Sequence, residues 1–382
     1  MTMLDEAKQP LPREGSERVS QSVFDDSTLR VVLLLDLYDG AQQRFLETYE
    51  RLRRHVASVP GHVGEQLCQS IENPSQWLIT SEWESAPPFL AWVNSEEHVQ
   101  MVRPLHRCVR DTRSLRFHVL RETGGATSDT GRTRPQPSPR VGDGVIRHAL
   151  TFAVKPGSER TVARLLADYP SPDPRVDDTT RLCRTSVFMH GRHVVRFVEV
   201  RGDLLAALRH IAGRPEVRAL EEAVNPYLEQ ERDLGDPESA RVFFTRAALT
   251  AVHHVRTSGP VPGHARRHAL YYPARQGHGT RLARLLARHA EAVASDALSP
   301  IRNSTVFQRD DFVVRLIDVL GGIDDTPALS LGLQDPADVS ELLSHLDTRA
   351  LGVGAAADDG GVGRLLVAAG MATVTDRRAA DG

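Results

Sequence analysis

Trp77, Ile79, Ser81 and Trp83 alternate along residues 76–84, so all four fall on one face of an extended strand. Two indoles on one strand face need a deep apolar space beneath them. That space is either a filled core or a pocket for a flat molecule. Phe89 and Trp92 follow on a helical stretch, and the chain's three tryptophans all lie within residues 63–93. On a helix, Trp92 reads first as core. Ahead of the strand, Glu72-Asn73-Pro74-Ser75 is turn chemistry, because proline presets one dihedral and Asn and Ser bond locally to backbone.

Other reactive residue types are less organised. His98 and His106 stand eight apart on a helical stretch, the spacing of a solvated face. His253-His254 points to both faces of a strand and makes a poor metal pair. His190-Gly191-Arg192-His193 reads as an exposed hairpin tip. No spacing resembles a zinc or iron site. The absence of GxGxxG before a helix, and of a P-loop, argues against nucleotide cofactors. Lys8 and Lys155 are the only lysines among 47 basic residues, so Schiff-base chemistry has almost no candidates.

The elements that position the indoles can be read around them. Residues 29–38 (LRVVLLLDLY) form a buried strand, and Asp39-Gly40 turns the chain. Residues 41–59 carry Phe45, Tyr49, Leu52 and Val56 at helical spacing. After Pro60-Gly61 come two strands, a helix over 87–109 and a closing strand over 114–121. The order is βαββαβ, a ferredoxin-like unit over residues 28–122. Residues 1–27 are polar and predict disorder; residues 123–144 are a Gly/Ser/Thr/Pro linker.

An internal repeat follows. RHAL at 147–150 recurs at 267–270, and VARLLA at 162–167 recurs as LARLLA at 282–287, both at an offset of 120. VVRFVEV at 194–200 recurs as VVRLIDV at 313–319, at 119. A constant offset through strand, helix and hairpin predicts one unit duplicated, over 145–256 and 266–377, with a 257–265 link and a 378–382 tail. Each copy reads βαββαβ. The first has a helix over 203–228 and a last strand near 243–255. The second is degraded, with a helix over 336–346, a flexible insert over 352–363 and a last strand over 365–375. The fold class is therefore α+β, three ferredoxin-like modules of the dimeric α/β-barrel type. Copies two and three pair within the chain, and module one needs a partner for its bare sheet face.

Within the repeat, Arg196/Arg315 and Glu199/Asp318 recur at equivalent positions on opposite strand faces. A charge repeated between valines reads as a cross-strand ion pair, a dimer-face contact or a pocket group. Asn225-Pro226-Tyr227 has no counterpart in the second copy, so a site there is single.

Composition sets outer bounds. The chain has 382 residues, 40% hydrophobic and 25% charged, as in ordinary globular proteins. A net charge of −3 makes no case for nucleic acid, and no apolar run is long enough to span a membrane. The N-terminus lacks an apolar signal segment, and Cys68, Cys108 and Cys183 form no CxxC. These features predict a reduced, cytoplasmic protein.

Residues 28–122 resemble the antibiotic-biosynthesis monooxygenases, a dimeric ferredoxin-like family that includes cofactor-free anthrone oxygenases. The resemblance lies in the element order and in NPSQW at 73–77 with the following SEWES. The first strand has no asparagine where some relatives carry a second one. Residues 145–377 resemble the SchA/CurD family of spore-pigment and polyketide clusters, through RHALTFAVKPG, TRLCRTSVF and NPYLEQERDL.

The resemblance implies a cofactor-independent monooxygenase oxidising a polycyclic aromatic polyketide, from anthrone or phenol to quinone. Molecular oxygen is the co-substrate; flavin, haem and metal are not needed. It implies Asn73 as donor to the developing oxyanion beside Trp77, with His62, His98 and Arg103 for proton transfer or anion stabilisation. Trp83, Trp92, Phe89 and Tyr49 would bind the rings. Arg196, Glu199, Asn225 and Tyr227 are candidates in the second module. The alternatives are a polyketide cyclase or aromatase, a bifunctional chain, or a non-catalytic pathway scaffold. The implied assembly is a homodimer, with other enzymes of the pathway as possible partners.

Overall fold

The computed structural model describes residues 18–122, 142–170, 172–230, 232–233, 235–259, 261–296, 298–333, 336–353 and 359–379. The mixed α+β architecture begins with β1 (Val19–Ser22), β2 (Leu29–Leu37), α1 (Gln42–Val56), β3 (His62–Gln69) and β4 (Gln76–Trp83). Then come α2 (Ala86–Asn94), α3 (Glu96–His106) and β5 (Val109–His118). Antiparallel strands in the order β3-β4-β2-β5 make a four-stranded sheet, the order of a ferredoxin-like unit. Trp83 faces Leu29 and Trp77 faces Leu35 across β4 and β2, which puts both indoles on the helix side. Helix α1 buries Phe45, Tyr49, Leu52 and Val56, one stripe at helical spacing, against that face.

The single helix predicted over 87–109 is two. Ser95 is extended, ends α2, and caps α3 by accepting from the His98 N–H at 3.1 Å. Val109 then already belongs to β5, five residues before the predicted strand.

The remaining chain forms a larger sheet from β6 (Val145–Ala153), α4 (Glu159–Asp168), β7 (Arg181–His190), β8 (His193–Arg201), α5 (Leu204–Gly213), α6 (Pro215–Val224), α7 (Pro237–Ala247) and β9 (Ala248–Arg256). It continues with β10 (Arg266–Pro273), α8 (Gly279–Ser295), β11 (Ile301–Arg309), β12 (Phe312–Val319), α9 (Pro327–Leu331), α10 (Pro336–His345), α11 (Asp359–Ala369) and β13 (Ala372–Arg378). The strand order is β10-β12-β11-β9-β6-β8-β7-β13, with β1 added beside β9.

The sequence predicts a complete βαββαβ for each copy, but the last strands are exchanged. Strand β9 pairs with β6 at only two positions and runs along β11 instead. Strand β13 runs along β7, and a bridge between Gly370 and Leu270 ties its start to β10. The ring of strands thus returns on itself, and neither β7 nor β11 is left as an open edge.

Other boundaries differ from the reading. Pro215 starts α6 after an extended Arg214, so residues 203–228 hold two helices and a 3₁₀ turn. Residues 243–247 are helical, not strand. Residues 359–369 form a helix where an insert and a strand were predicted, because Leu365, Leu366 and Ala369 are buried at helical spacing. A short apolar run does not distinguish helix from strand by itself. The predicted disorder of residues 1–17, the linker over 123–141 and the insert over 354–358 lie outside the described residues. Residues 18–27 are ordered: β1 pairs with β9 and buries Val19. Arg18 and Ser20 reach Glu291 on α8.

Unit one docks on the larger sheet through a shared apolar core and through polar contacts. Arg246 on α7 donates to Glu96 at 3.0 Å, and Arg309 donates to the Asn94 carbonyl at 2.8 Å. The Arg246 hydrogen bond first, and that of the Gln100 amide second, hold Glu96 below the usual carboxylate range.

Candidate functional site

In unit one the aromatic side chains converge between α1, α2 and β4. Phe45 meets Trp77 edge-on with ring centres 5.5 Å apart and lies parallel to Tyr49 at 6.2 Å. Burial, and then the Glu65 carboxylate that accepts the Tyr49 hydroxyl at 2.6 Å, push that phenol's pKa up. Trp83, 1% exposed, donates its indole N–H to Ser81 at 3.0 Å. It meets Phe89 at 5.4 Å and His62 at 5.1 Å, both edge-on. Trp92 stacks on His55 at 5.2 Å and takes His98 edge-on at 5.0 Å.

Two of the three imidazoles beside the indoles have unused capacity. His62 Nε2 and His98 Nδ1 are buried and make no hydrogen bond. Buried polar atoms are normally paired, so each such atom calls for an explanation. Burial first, and the neighbouring His106 second, lower the His98 pKa to about 4. Its imidazole is neutral near pH 7 and can accept a proton.

Not every predicted residue joins this cluster. Asn73 is exposed in its turn, and its side-chain oxygen accepts from the Ser75 N–H at 3.1 Å and the Ser75 hydroxyl at 2.9 Å. The Trp77 N–H is spent on the Pro74 carbonyl at 2.9 Å. Asn73 therefore fastens the turn that seats Trp77 and is not brought to the other site candidates. Arg103 is exposed on α3.

The second-unit candidates also separate. Arg196 pairs with Glu221 on α6 and lies over Phe152; burial lowers its pKa to about 10. Asn225 clamps the backbone of Arg232 with both side-chain atoms, at 2.9 and 3.2 Å. The Tyr227 ring packs on a helix-side core around Val154 and Leu166. Glu199 faces the other way and accepts from Arg267 at 2.9 Å.

Glu199 belongs to a network that sequence reasoning missed. Arg267 donates to Asp318 at 2.9 Å, Arg184 donates to Asp318 at 2.9 Å, and Asn303 donates to it at 3.0 Å. Strand β10 does not neighbour β8, nor does β7 neighbour β12, so Arg267–Glu199 and Arg184–Asp318 cross the interior of the ring. Burial opposes the Asp318 charge, yet the facing arginines hold its pKa down at about 2. The signal was available: Arg147 and Arg267 recur with the repeat, as Glu199 and Asp318 do. At the other end of the ring, Tyr271 lies 5.2 Å from His190 and 5.4 Å from His193. The predicted exposed hairpin tip thus turns both imidazoles onto a buried tyrosine. Burial, with Asp347 second, raises the Tyr271 pKa to about 12.

Comparison with known proteins follows the same division. Residues 28–104 match the family described as antibiotic biosynthesis monooxygenase, and residues 145–257 match the SchA/CurD like domain. Over 366 residues the chain is 58% identical to a Streptomyces cyaneus protein named polyketide synthase CurD, covering 96% of this chain and 99% of that one. The chain belongs to the SchA/CurD family. A 42.8 kDa protein of the whiE locus of Streptomyces coelicolor is 56% identical to this SchA/CurD protein over 382 residues, covering 99% and 95%. Among solved structures, SnoaB, a cofactor-independent oxygenase from Streptomyces nogalater, is 16% identical, covers 25% of this chain and 96% of its own, and has a TM-score of 0.24. No group of three or more potential metal ligands occurs among the described residues, and no described helix is long and apolar enough to cross a membrane.

Proposed function

We propose that this chain oxidises a polycyclic aromatic polyketide in unit one, using dioxygen and no bound cofactor. The observation that carries this reading is the pair His62 and His98, each with an unpaired ring nitrogen against an indole. A neutral imidazole takes a proton from the anthrone carbon or its phenol. The resulting carbanion reduces dioxygen and combines with it as a carbon-bound hydroperoxide. Loss of water then leaves the quinone carbonyl, so one dioxygen is consumed and one water released. Trp83, Trp92 and Phe89 hold the rings, and Tyr49 braces the wall through Glu65. The family match over residues 28–104 and the name of the CurD relative support the pathway assignment.

The architecture favours further parts of the reading. Residues 145–256 and 266–377 are one unit duplicated, supported by the recurring β-α-β-β order and the reciprocal strand exchange. Unit one works as a homodimer through the sheet face that carries Leu34, 42% exposed, and Phe117, 50% exposed. Such large apolar groups on one uncovered face fit a self-complementary contact. The chain works in the cytoplasm; its three cysteines are free.

Oxygen uptake with 1,8-dihydroxyanthrone tests the reaction. His98→Phe is expected to lower turnover about 10²-fold, the scale of one general base. No uptake, or full activity in both His98→Phe and His62→Phe, overturns the proposal. A second reading, aldol cyclisation in the duplicated half, is favoured by His190, His193 and Tyr271 around one point. Oxygen-independent conversion of a linear poly-β-ketone, lost in Tyr271→Phe, would select it.

A further inference from the structure

A cavity of 570 Å³ opens where β1, β6 and β9 meet the end of β5. Its origin is the division of one strand edge. On that edge, β6 pairs with β9 at Ala248 and Leu249, while β1 pairs with β9 at 253–256. Between the two partners the edge forks, and Ala251 and Val252 line the opening. Val23, Val145 and Ile146 complete apolar walls, and Gln21, His118, Arg147 and His254 supply the polar groups.

Two glycines at the opening resist replacement, each for its own reason. A Cβ on Gly142 would stand 2.7 Å from the Gln21 amide nitrogen, so a side chain there would displace the amide. Gly144 has a φ of +69°, a conformation that strains other residues.

The polar chemistry selects the kind of ligand. His254 is 3% exposed, and its Nδ1 is taken by the Thr305 hydroxyl at 2.9 Å. Its Nε2 makes no hydrogen bond, and the nearest carboxylate oxygen, from Asp143, is 3.7 Å away. That carboxylate favours the proton on Nε2, a buried N–H with no hydrogen-bond partner of its own. Burial first, and Arg147 second, keep the imidazole uncharged. Arg147 is itself matched by Asp143 in two hydrogen bonds, at 2.6 and 3.2 Å. With those charges balanced, the described lining residues offer no free cation for a carboxylate or phosphate. Its volume lies in the range of roughly 300–1,000 Å³ that encloses a small organic molecule.

We propose that this fork is a second ligand site, separate from the aromatic cluster of unit one, that takes an uncharged phenolic polycycle with one oxygen on His254. The site would hold a polyketide intermediate or product at the seam between the two sheets. It rests on the geometry of the fork and is independent of the oxidation chemistry.

Calorimetric titration of the full chain with 1,8-dihydroxyanthraquinone, which has no carbon left to oxidise at the ring centre, tests it. Ile146, 41% exposed at the rim, can be enlarged with little effect on the fold. Ile146→Trp is expected to weaken one binding event at least tenfold while oxygen uptake with the anthrone stays unchanged. His254→Phe is expected to do the same. Should that variant unfold, Gln21→Leu on the half-buried strap gives the second measurement, with a loss of about threefold to tenfold. Absence of probe binding, or affinity unchanged in Ile146→Trp and Gln21→Leu, overturns the proposal. So does binding that is lost only when His62 or His98 is replaced. Absence of oxygen uptake alone leaves it standing.

Discussion

The two sheets of this chain bury their inner faces with opposite materials. Unit one fills the space between sheet and helices with rings: Phe45, Tyr49, Trp77, Trp83, Phe89 and Trp92. Its other face stays open, with Leu34 and Phe117 in solvent. The larger sheet closes on itself and encloses a chain of charges: Glu199, Arg267, Asp318 and Arg184. The difference teaches where charge is tolerable. An interior lined by both signs can neutralise itself, whereas burial among the rings holds the His98 imidazole uncharged.

The sharpest test of that contrast removes a carboxylate from the interior. Asp318→Ala leaves Arg267 and Arg184 without their shared partner, and breaking a buried pair typically costs about 3–5 kcal/mol. Glu82→Ala removes a partner of Arg30 on the open face of unit one, where the two charges are 2.6 Å apart and partly exposed to water. That change should cost less than about 1 kcal/mol. Urea unfolding of both variants decides; similar losses would erase the distinction.

Acid separates the two interiors next. The His98 pKa in the folded state, about 4, lies below its unfolded value. Its contribution is therefore present above about pH 6.5 and is lost as pH falls from there toward 4. Asp318 has a depressed carboxyl, so its contribution persists down to about pH 4 and is lost between 4 and 2. His98→Phe should flatten the stability profile between pH 6.5 and 4 by up to about 3 kcal/mol. An unchanged slope there would mean that His98 is solvated.

The smallest expected effect concerns Asn73. Its side chain serves a turn, so Asn73→Ala should cost about 0.5–1.5 kcal/mol, the scale of a lost hydrogen bond. Oxygen-uptake turnover should remain within about twofold of the parent chain. A loss comparable to that of His98→Phe would return Asn73 to the reaction and reverse the placement argued from its bonds to Ser75.

Much of unit one could be read directly. Alternation over 76–84 placed Trp77 and Trp83 on one face, and the spacing of Phe45, Tyr49, Leu52 and Val56 marked the buried stripe of α1. Asn73 could not be assigned the same way, because a turn residue and an oxyanion donor look identical in sequence. Its carboxamide was claimed by Ser75, two residues on, which only coordinates reveal. The break at Ser95 was similarly hidden: an apolar stripe continued across it, and the cap depends on one backbone angle.

In the larger sheet, the recurrence of Arg147/Arg267 and Glu199/Asp318 was visible, but their partnership was not. Side-chain period is a local property, written in every second or every third and fourth residue, and the sequence determined it alone. Whether β9 pairs with β6 or with β11 is decided by backbone N–H and C=O groups that every residue carries alike. No residue type records that choice, so the exchange of β9 and β13 belongs to tertiary structure. The same exchange brought Arg267 to Glu199 and opened the fork beside His254, because contacts across a closed ring depend on which strands end up opposite one another.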